Sequence, residues 1–171
     1  MRIDETSQNG PTLHILCGKI ASGKSTLAAT LAQTPGSVVL SEDSWLALLF
    51  KESMRSVEDY VHYSAVLKRA IKPHVIALLQ AGVNVILDFP ANTVASRQWM
   101  MSIIHDAGAQ HLLHYLVVSD EACKARLRQR NAAGEHDFAA TDAQFEWITR
   151  YFVPPADEEG FQVRRYEEEH R

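Results

Sequence analysis

Gly18-Lys19-Ile20-Ala21-Ser22-Gly23-Lys24-Ser25 matches the pattern GxxxxGK[ST] at every fixed position. Before it runs the apolar stretch Leu13 to Cys17, which reads as a buried strand; after it Leu27, Ala28 and Leu31 recur at helical spacing until Pro35-Gly36 ends the segment. Strand, glycine loop and helix in that order are the context in which the pattern cradles phosphate. The glycines let successive N–H groups turn inward, and the helix start adds positive potential. Lys24 reaches the β- and γ-phosphates, and Ser25 holds Mg²⁺. The expected ligands are therefore ATP and Mg²⁺, bound by Gly18, Lys19, Ile20, Ala21, Ser22, Gly23, Lys24, Ser25 and the neighbouring Thr26.

Outward from the loop the same alternation continues. Ser37 to Leu40 reads as a second strand, followed by a helix carrying Trp45, Leu46, Leu49 and Phe50. Helical spacing resumes from Val57 to Ala81, where Pro73 is expected to kink or split the helix. Val83 to Leu87 is a third strand and Val94 to Asp106 a helix. His111 to Val118 is a fourth strand and Asp120 to Arg130 a helix. Residues 131–141 form a polar loop, read as a lid, before a helix from Ala143 to Tyr151 and a fifth strand from Phe161 to Tyr166. Strands alternating with helices require right-handed crossovers and give a parallel sheet covered on both faces. The expected architecture is α/β: a three-layer α/β/α sandwich of the P-loop NTPase type with a small lid. It forms a single domain over 1–171, with 1–10 as a flexible tail.

In such sheets ligands bind at the carboxyl ends of the strands, where Gly18, Asp43 and Asp88 all fall. A carboxylate at Asp43 approaches the γ-phosphate from the acceptor side, where it can orient a hydroxyl and take its proton. Its structural alternative is a helix cap, because a helix starts beside it. Glu42 is its competitor, expected to point elsewhere. Asp88 is a candidate for Mg²⁺ or for the acceptor, and Asn92, Arg97 and Trp45 are further acceptor candidates. Arg126 and Arg130 share one helical face just before the lid loop and are candidates to neutralise the transferred phosphoryl group; Arg128 points away from them. Asp88 is followed by Phe89-Pro90 in place of the glutamate that activates water in motor ATPases, and the chain has no NKxD segment to read guanine.

Composition narrows the class. Of 171 residues, 46% are hydrophobic and 22% charged, which describes a soluble globular chain. The formal charge of −4 gives no broad attraction for a nucleic-acid backbone. Cys17 and Cys123 read as buried reduced thiols. The acid-bearing start lacks a secretory pattern, and no apolar run spans a membrane, so the expected compartment is cytoplasmic. The histidines show no HExxH pattern, and His111 and His114 should face opposite sides of one strand.

The segments GKIASGKST, LSEDSW, VILDFPANTVASR and RLRQRN with TDAQFEWITRYFVPPADEEGF resemble the AAA_33 zeta-toxin-like P-loop kinases over about Leu13 to Val163. That group includes chloramphenicol phosphotransferase-like proteins and the 5′-kinase module of polynucleotide kinases. The resemblance implies a five-stranded parallel sheet ordered 2-3-1-4-5, ATP with Mg²⁺, Asp43 as catalytic base and a lid arginine at Arg126 or Arg130. It also implies that Phe161, Gln162 and Val163 border the adenine. Phe89-Pro90-Ala91 departs from the pattern, in which asparagine or threonine follows the third-strand aspartate closely, and this leaves the acceptor unnamed. The expected function is transfer of the ATP γ-phosphate to a hydroxyl of a nucleoside, sugar or antibiotic. The alternatives are a 5′-hydroxyl polynucleotide kinase and an ATP-binding regulatory switch. The segment 42–66 carries only Lys51 and Arg55 as cations, which is little for a polynucleotide channel. The sequence leaves the oligomeric state open.

Overall fold

A computed structural model describes residues 10–134 and 140–168. Five strands, β1 (Thr12–Cys17), β2 (Ser37–Ser41), β3 (Asn84–Asp88), β4 (Gln110–Val117) and β5 (Val163–Glu167), form one parallel sheet in the order β2-β3-β1-β4-β5. The helices are α1 (Lys24–Leu31), α2 (Glu42–Phe50), α3 (Val57–Gln80), α4 (Val94–Ala107), α5 (Asp120–Ala133) and α6 (Asp142–Thr149), with a short 3-10 turn at Asp157–Glu159. Local sequence chemistry sets the helix starts. Ser41, Ser56, Thr93, Ser119 and Thr141 each accept a backbone N–H at the head of α2 to α6, and Gln144 completes a capping box with Thr141.

Alternation along the strands divides the core into two layers. Leu13, Ile15, Cys17, Val85, Leu87 and Leu113 face α3 and α4, where Leu67, Ile71, Val75, Leu79, Met100 and Ile103 are buried against them. On the other face Leu16 and Ile86 pack on Ala28, Leu27 and Leu31 of α1. A third cluster joins Cys123, Leu127, Ala140 and Phe145 to Ile20, Ala21 and Val118, so the helices beyond β4 rest directly on the glycine loop. Both cysteines are free and buried.

Two local expectations are corrected. Of the two outcomes expected at Pro73, a kink or a split, the split does not occur: α3 continues through it, because proline removes one hydrogen bond while Ile71 and Val75 on either side stay buried on one face. α5 runs to Ala133, so the first residues of the expected 131–141 lid loop are helical, ending at Gly134 with φ 66°. Residues 135–139 of that loop lie outside the described residues.

A part-buried polar chain crosses the sheet. His14 on β1 and His114 on β4 share a hydrogen bond of 2.9 Å, and His114 Nδ1 lies 2.7 Å from the Tyr166 hydroxyl on β5. Burial lowers His14 to about 4 and His114 to about 3; His114 is further lowered by His14, and both by Arg164. Both imidazoles are thus neutral in the fold. The unfolded chain titrates near the ordinary value of about 6.5 and gains protons first as pH falls. Stability is complete above pH ~6.5 and lost progressively toward pH ~3, at up to about 1.4 kcal/mol per pH unit for each histidine. His114→Gln, which keeps hydrogen-bonding capacity without a titrating ring, is expected to flatten that slope. Chemical denaturation at stepped pH tests this, and an unchanged slope in the variant refutes it.

Candidate active site

The site stands at the carboxyl ends of β1, β2 and β3, where strand register brings separate segments together. Ser41 pairs with Asp88 across β2 and β3, and Ile15 pairs with Leu87 across β1 and β3. The glycine loop leaves the end of β1 immediately after Cys17. Gly18 has no room for a side chain: an added Cβ would lie 2.4 Å from Ser22 Oγ and 3.3 Å from Leu116 Cβ. Gly23 heads α1 with φ 102°, a left-handed conformation natural to glycine, and Ala21 takes φ 61° at the loop's turn. Ser25 and Thr26 are exposed in the first turn of α1.

Lys24 folds back over the loop, donating to Gly18 O at 2.7 Å and Lys19 O at 2.8 Å. Burial lowers its proton affinity, opposed first by the charge of Asp88 and, more weakly, by Asp43. Burial raises Asp88 in turn, with Lys24 pulling it down and Asp43 and Glu42 pushing it up. These mutual influences place Lys24, Asp88 and Asp43 in one electrostatic neighbourhood. Ser22 Oγ is buried and has no hydrogen-bond partner among the described residues.

The two adjacent acids part company. Glu42 is 1% exposed and accepts from Tyr60 Oη at 2.5 Å and Ser64 Oγ at 3.0 Å, binding α2 to α3. Asp43 is exposed, and Ser41 rather than Asp43 caps α2. Its carboxylate is therefore not consumed by the helix end. Trp45 is 37% exposed on the same helix and lines neither of the two cavities beside the loop.

Asn92 and Arg97 are engaged with the protein itself, contrary to the expectation that they meet an acceptor. The Asn92 side chain accepts from Gly18 N at 3.0 Å and donates to Gly18 O at 2.8 Å, a two-point clamp on the start of the loop. Arg97 is fully buried. It pairs with Glu159 at 2.7 Å and donates to Ala91 O at 2.9 Å and Val153 O at 2.8 Å. Val153 N donates to Asn92 O at 2.9 Å, so the buried arginine, the 153–159 segment and the loop clamp form one connected structure. A buried guanidinium needs such partners, and these leave it nothing to offer a substrate.

The arginines of α5 also separate. Arg126 reaches Ser22 O at 3.4 Å and Glu168 at 2.9 Å. Arg130 is half-buried, and its Nε has no hydrogen-bond partner among the described residues. Arg128 turns outward to pair with Asp142 of α6. Ser22, Leu116, Arg126, Tyr166 and Glu168 line an open recess of about 360 Å³ beside the loop. Phe161, Gln162 and Val163 lie elsewhere. Gln162 meets His111 and Leu113, and Val163 pairs with Leu113, toward the amino end of the sheet and away from the loop. The adenine border implied for them is corrected: the part of β5 beside the loop is its carboxyl end.

Fold and loop together define a P-loop nucleotide-binding protein of the kinase-like α/β type. A family model, AAA_33 (AAA domain), matches residues 13–155, and the chain belongs to that family. Similar solved structures include a candidate kinase from Chloroflexus aurantiacus j-10-fl, with TM-score 0.75, 22% identity and coverage of 93% of this chain and 89% of that one. A chain of the Pnkp1/Rnl/Hen1 RNA repair complex has TM-score 0.65 and 22% identity over 88% of this chain and 46% of its own. The Mycobacterium tuberculosis APS kinase CysC, in complex with AMPPNP and APS, has TM-score 0.61 and 20% identity over 95% and 90%. These likenesses show the shared fold. No curated protein sequence matches the chain. No helix among the described residues is long and apolar enough to cross a membrane.

Proposed function

We propose that the chain is an ATP-dependent kinase that transfers the γ-phosphoryl group to a hydroxyl of a small molecule. The observation that carries this reading is Asp43: an exposed carboxylate, relieved of capping by Ser41, in the electrostatic neighbourhood of Lys24. In the proposed reaction the acceptor oxygen forms a bond to the γ-phosphorus while the bond from that phosphorus to the β,γ-bridging oxygen breaks. Asp43 takes the acceptor's proton, leaving ADP and a phosphate ester. Lys24 swings from its own loop carbonyls onto the β/γ-phosphates, and the loop's N–H groups hold them. The Ser25 hydroxyl and the Asp88 carboxylate would hold Mg²⁺, which when bound neutralises phosphate charge. Among the described residues no group of three or more His, Cys, Asp and Glu could hold a metal. A donor set of one hydroxyl and one carboxylate suits an ion that keeps water and phosphate oxygens as its other ligands.

The 360 Å³ recess is the place for the adenine, with the Tyr166 ring and the Arg126 guanidinium as its walls. Arg126→Ala is then expected to weaken ATP affinity. Arg130→Ala should lower kcat more than affinity if its side chain meets the charge of the transferred group. Arg128→Ala, already engaged on the surface with Asp142, should leave both within about threefold. Steady-state kinetics of the three variants decides, and equal losses for Arg128→Ala would overturn the assignment. The reaction itself is tested with γ-labelled ATP over nucleosides, sugars, aminoglycoside and phenicol antibiotics and a 5′-hydroxyl oligonucleotide. Label on a small molecule supports the reading, label on the oligonucleotide alone replaces it with a polynucleotide kinase, and tight ATP binding without transfer replaces it with a switch.

A further inference from the structure

The two loop carbonyls that hold Lys24 are each shared with a second donor. Gly18 O receives Lys24 Nζ at 2.7 Å and Asn92 Nδ2 at 2.8 Å. Lys19 O receives Lys24 Nζ at 2.8 Å and the Ser22 N–H at 3.1 Å. Polyphosphate has to draw the ammonium off both oxygens. A carbonyl oxygen has two lone pairs, so it bears the loss of one donor when another stays, whereas one left bare away from water opposes the departure. Lys19 O keeps a donor from within the loop itself. Gly18 O keeps one because Asn92 reaches it from the segment after β3, 74 residues along the chain.

Asn92 is built for that task. Its Oδ1 accepts the Gly18 N–H at 3.0 Å, so one planar amide grips the N–H and the carbonyl of the same residue, and only this orientation of the amide satisfies both. The amide is braced from behind. Asn92 O accepts from Val153 N at 2.9 Å, and Val153 O accepts from Arg97, which is buried and paired with Glu159. The grip therefore stays in place whether Lys24 lies on the loop or on a ligand.

We propose that Asn92 is a positioning residue for the nucleotide: acting through Gly18, it keeps that carbonyl satisfied so that Lys24 can leave it for the β- and γ-phosphates. This rests on the role given to Lys24 in the kinase reading above. Without the Asn92 amide, Lys24 is the side-chain donor that remains to Gly18 O among the described residues, and the loop holds the ammonium back from the phosphates. The cost then falls on nucleotide binding through Lys24, and disappears when Lys24 is absent.

The test is a double-mutant cycle in which AMPPNP with Mg²⁺ is titrated by calorimetry into the parent, Asn92→Leu, Lys24→Ala and the double variant. Leucine keeps the approximate size of asparagine and bonds neither group of Gly18. Asn92→Leu should weaken AMPPNP about tenfold, the scale of one hydrogen bond. In the Lys24→Ala background the same substitution should change affinity less than about threefold, because no ammonium is left to retain. A clamp that merely shapes the loop would cost as much in both backgrounds. Melting temperatures control for folding, and Asn92→Ala takes the place of Asn92→Leu in the cycle if leucine unfolds the chain. The proposal is overturned if AMPPNP affinity is unchanged without the amide, or if the loss is equally large with and without Lys24. The kinase reading fails separately: the cycle would be non-additive as expected, yet no label would pass from γ-labelled ATP to any acceptor.

Discussion

Lys24→Ala is expected to abolish phosphoryl transfer and to weaken ATP binding, with the larger loss in turnover. The ammonium lies against two carbonyls of its own loop, Gly18 O and Lys19 O, so the cation is stored at the place where polyphosphate charge must arrive. A charged hydrogen bond contributes about 1.5–3 kcal/mol, so ground-state affinity should fall on the order of 10- to 100-fold. Stabilisation of the charge that develops in transfer is lost as well, and removal of one such preorganised donor costs roughly 10²–10³ in kcat. The fold should persist, because Lys24 is the first residue of α1 and the loop remains anchored by the Asn92 clamp and by the packing of Ile20 and Ala21 on the α5–α6 cluster. Titration of ATP by calorimetry with single-turnover transfer is the check. Unchanged affinity and turnover would remove Lys24 from the site.

Asp43→Asn should leave ATP affinity near that of the parent while transfer falls about 10²–10⁴-fold, the usual cost of losing a general base. Asparagine keeps the size and most hydrogen bonding of aspartate but cannot take the acceptor's proton. The structural alternative is weak here, because Ser41 supplies the cap of α2 and Asp43 is the second helical residue. Its remaining helix contribution is a favourable charge near the N-terminus, typically about 0.3–1 kcal/mol at an exposed position. Thermal melting should thus move little. Transfer by the variant within about threefold of the parent at saturating ATP, far short of a general-base loss, would return Asp43 to a purely structural role. Glu42→Gln offers a contrast: that carboxylate is buried against Tyr60 and Ser64, so its substitution should appear as lost stability.

The sequence by itself determined whatever depends on neighbours along the chain. GKIASGKS announces its conformation because glycine φ values, the missing Cβ at Gly18 and the start of α1 all act within eight residues. The central strands β1 and β3 were legible as apolar runs, since strands buried on both faces must be apolar throughout, and the helix starts at Ser41, Ser56, Thr93, Ser119 and Thr141 are capping chemistry a few residues long. Only the tertiary structure decided how the polar residues are used. Asn92 meets Gly18 74 residues away, Arg97 meets Glu159 62 residues away, and His14 meets His114 100 residues away. In sequence Asn92 and Arg97 look free to serve a substrate. A buried polar group must find a partner wherever the fold places one, and hydrophobic periodicity carries no record of that choice. The same reason hid the two cavities, which form where the ends of β4, β5 and α6 meet the loop and which no single segment encodes.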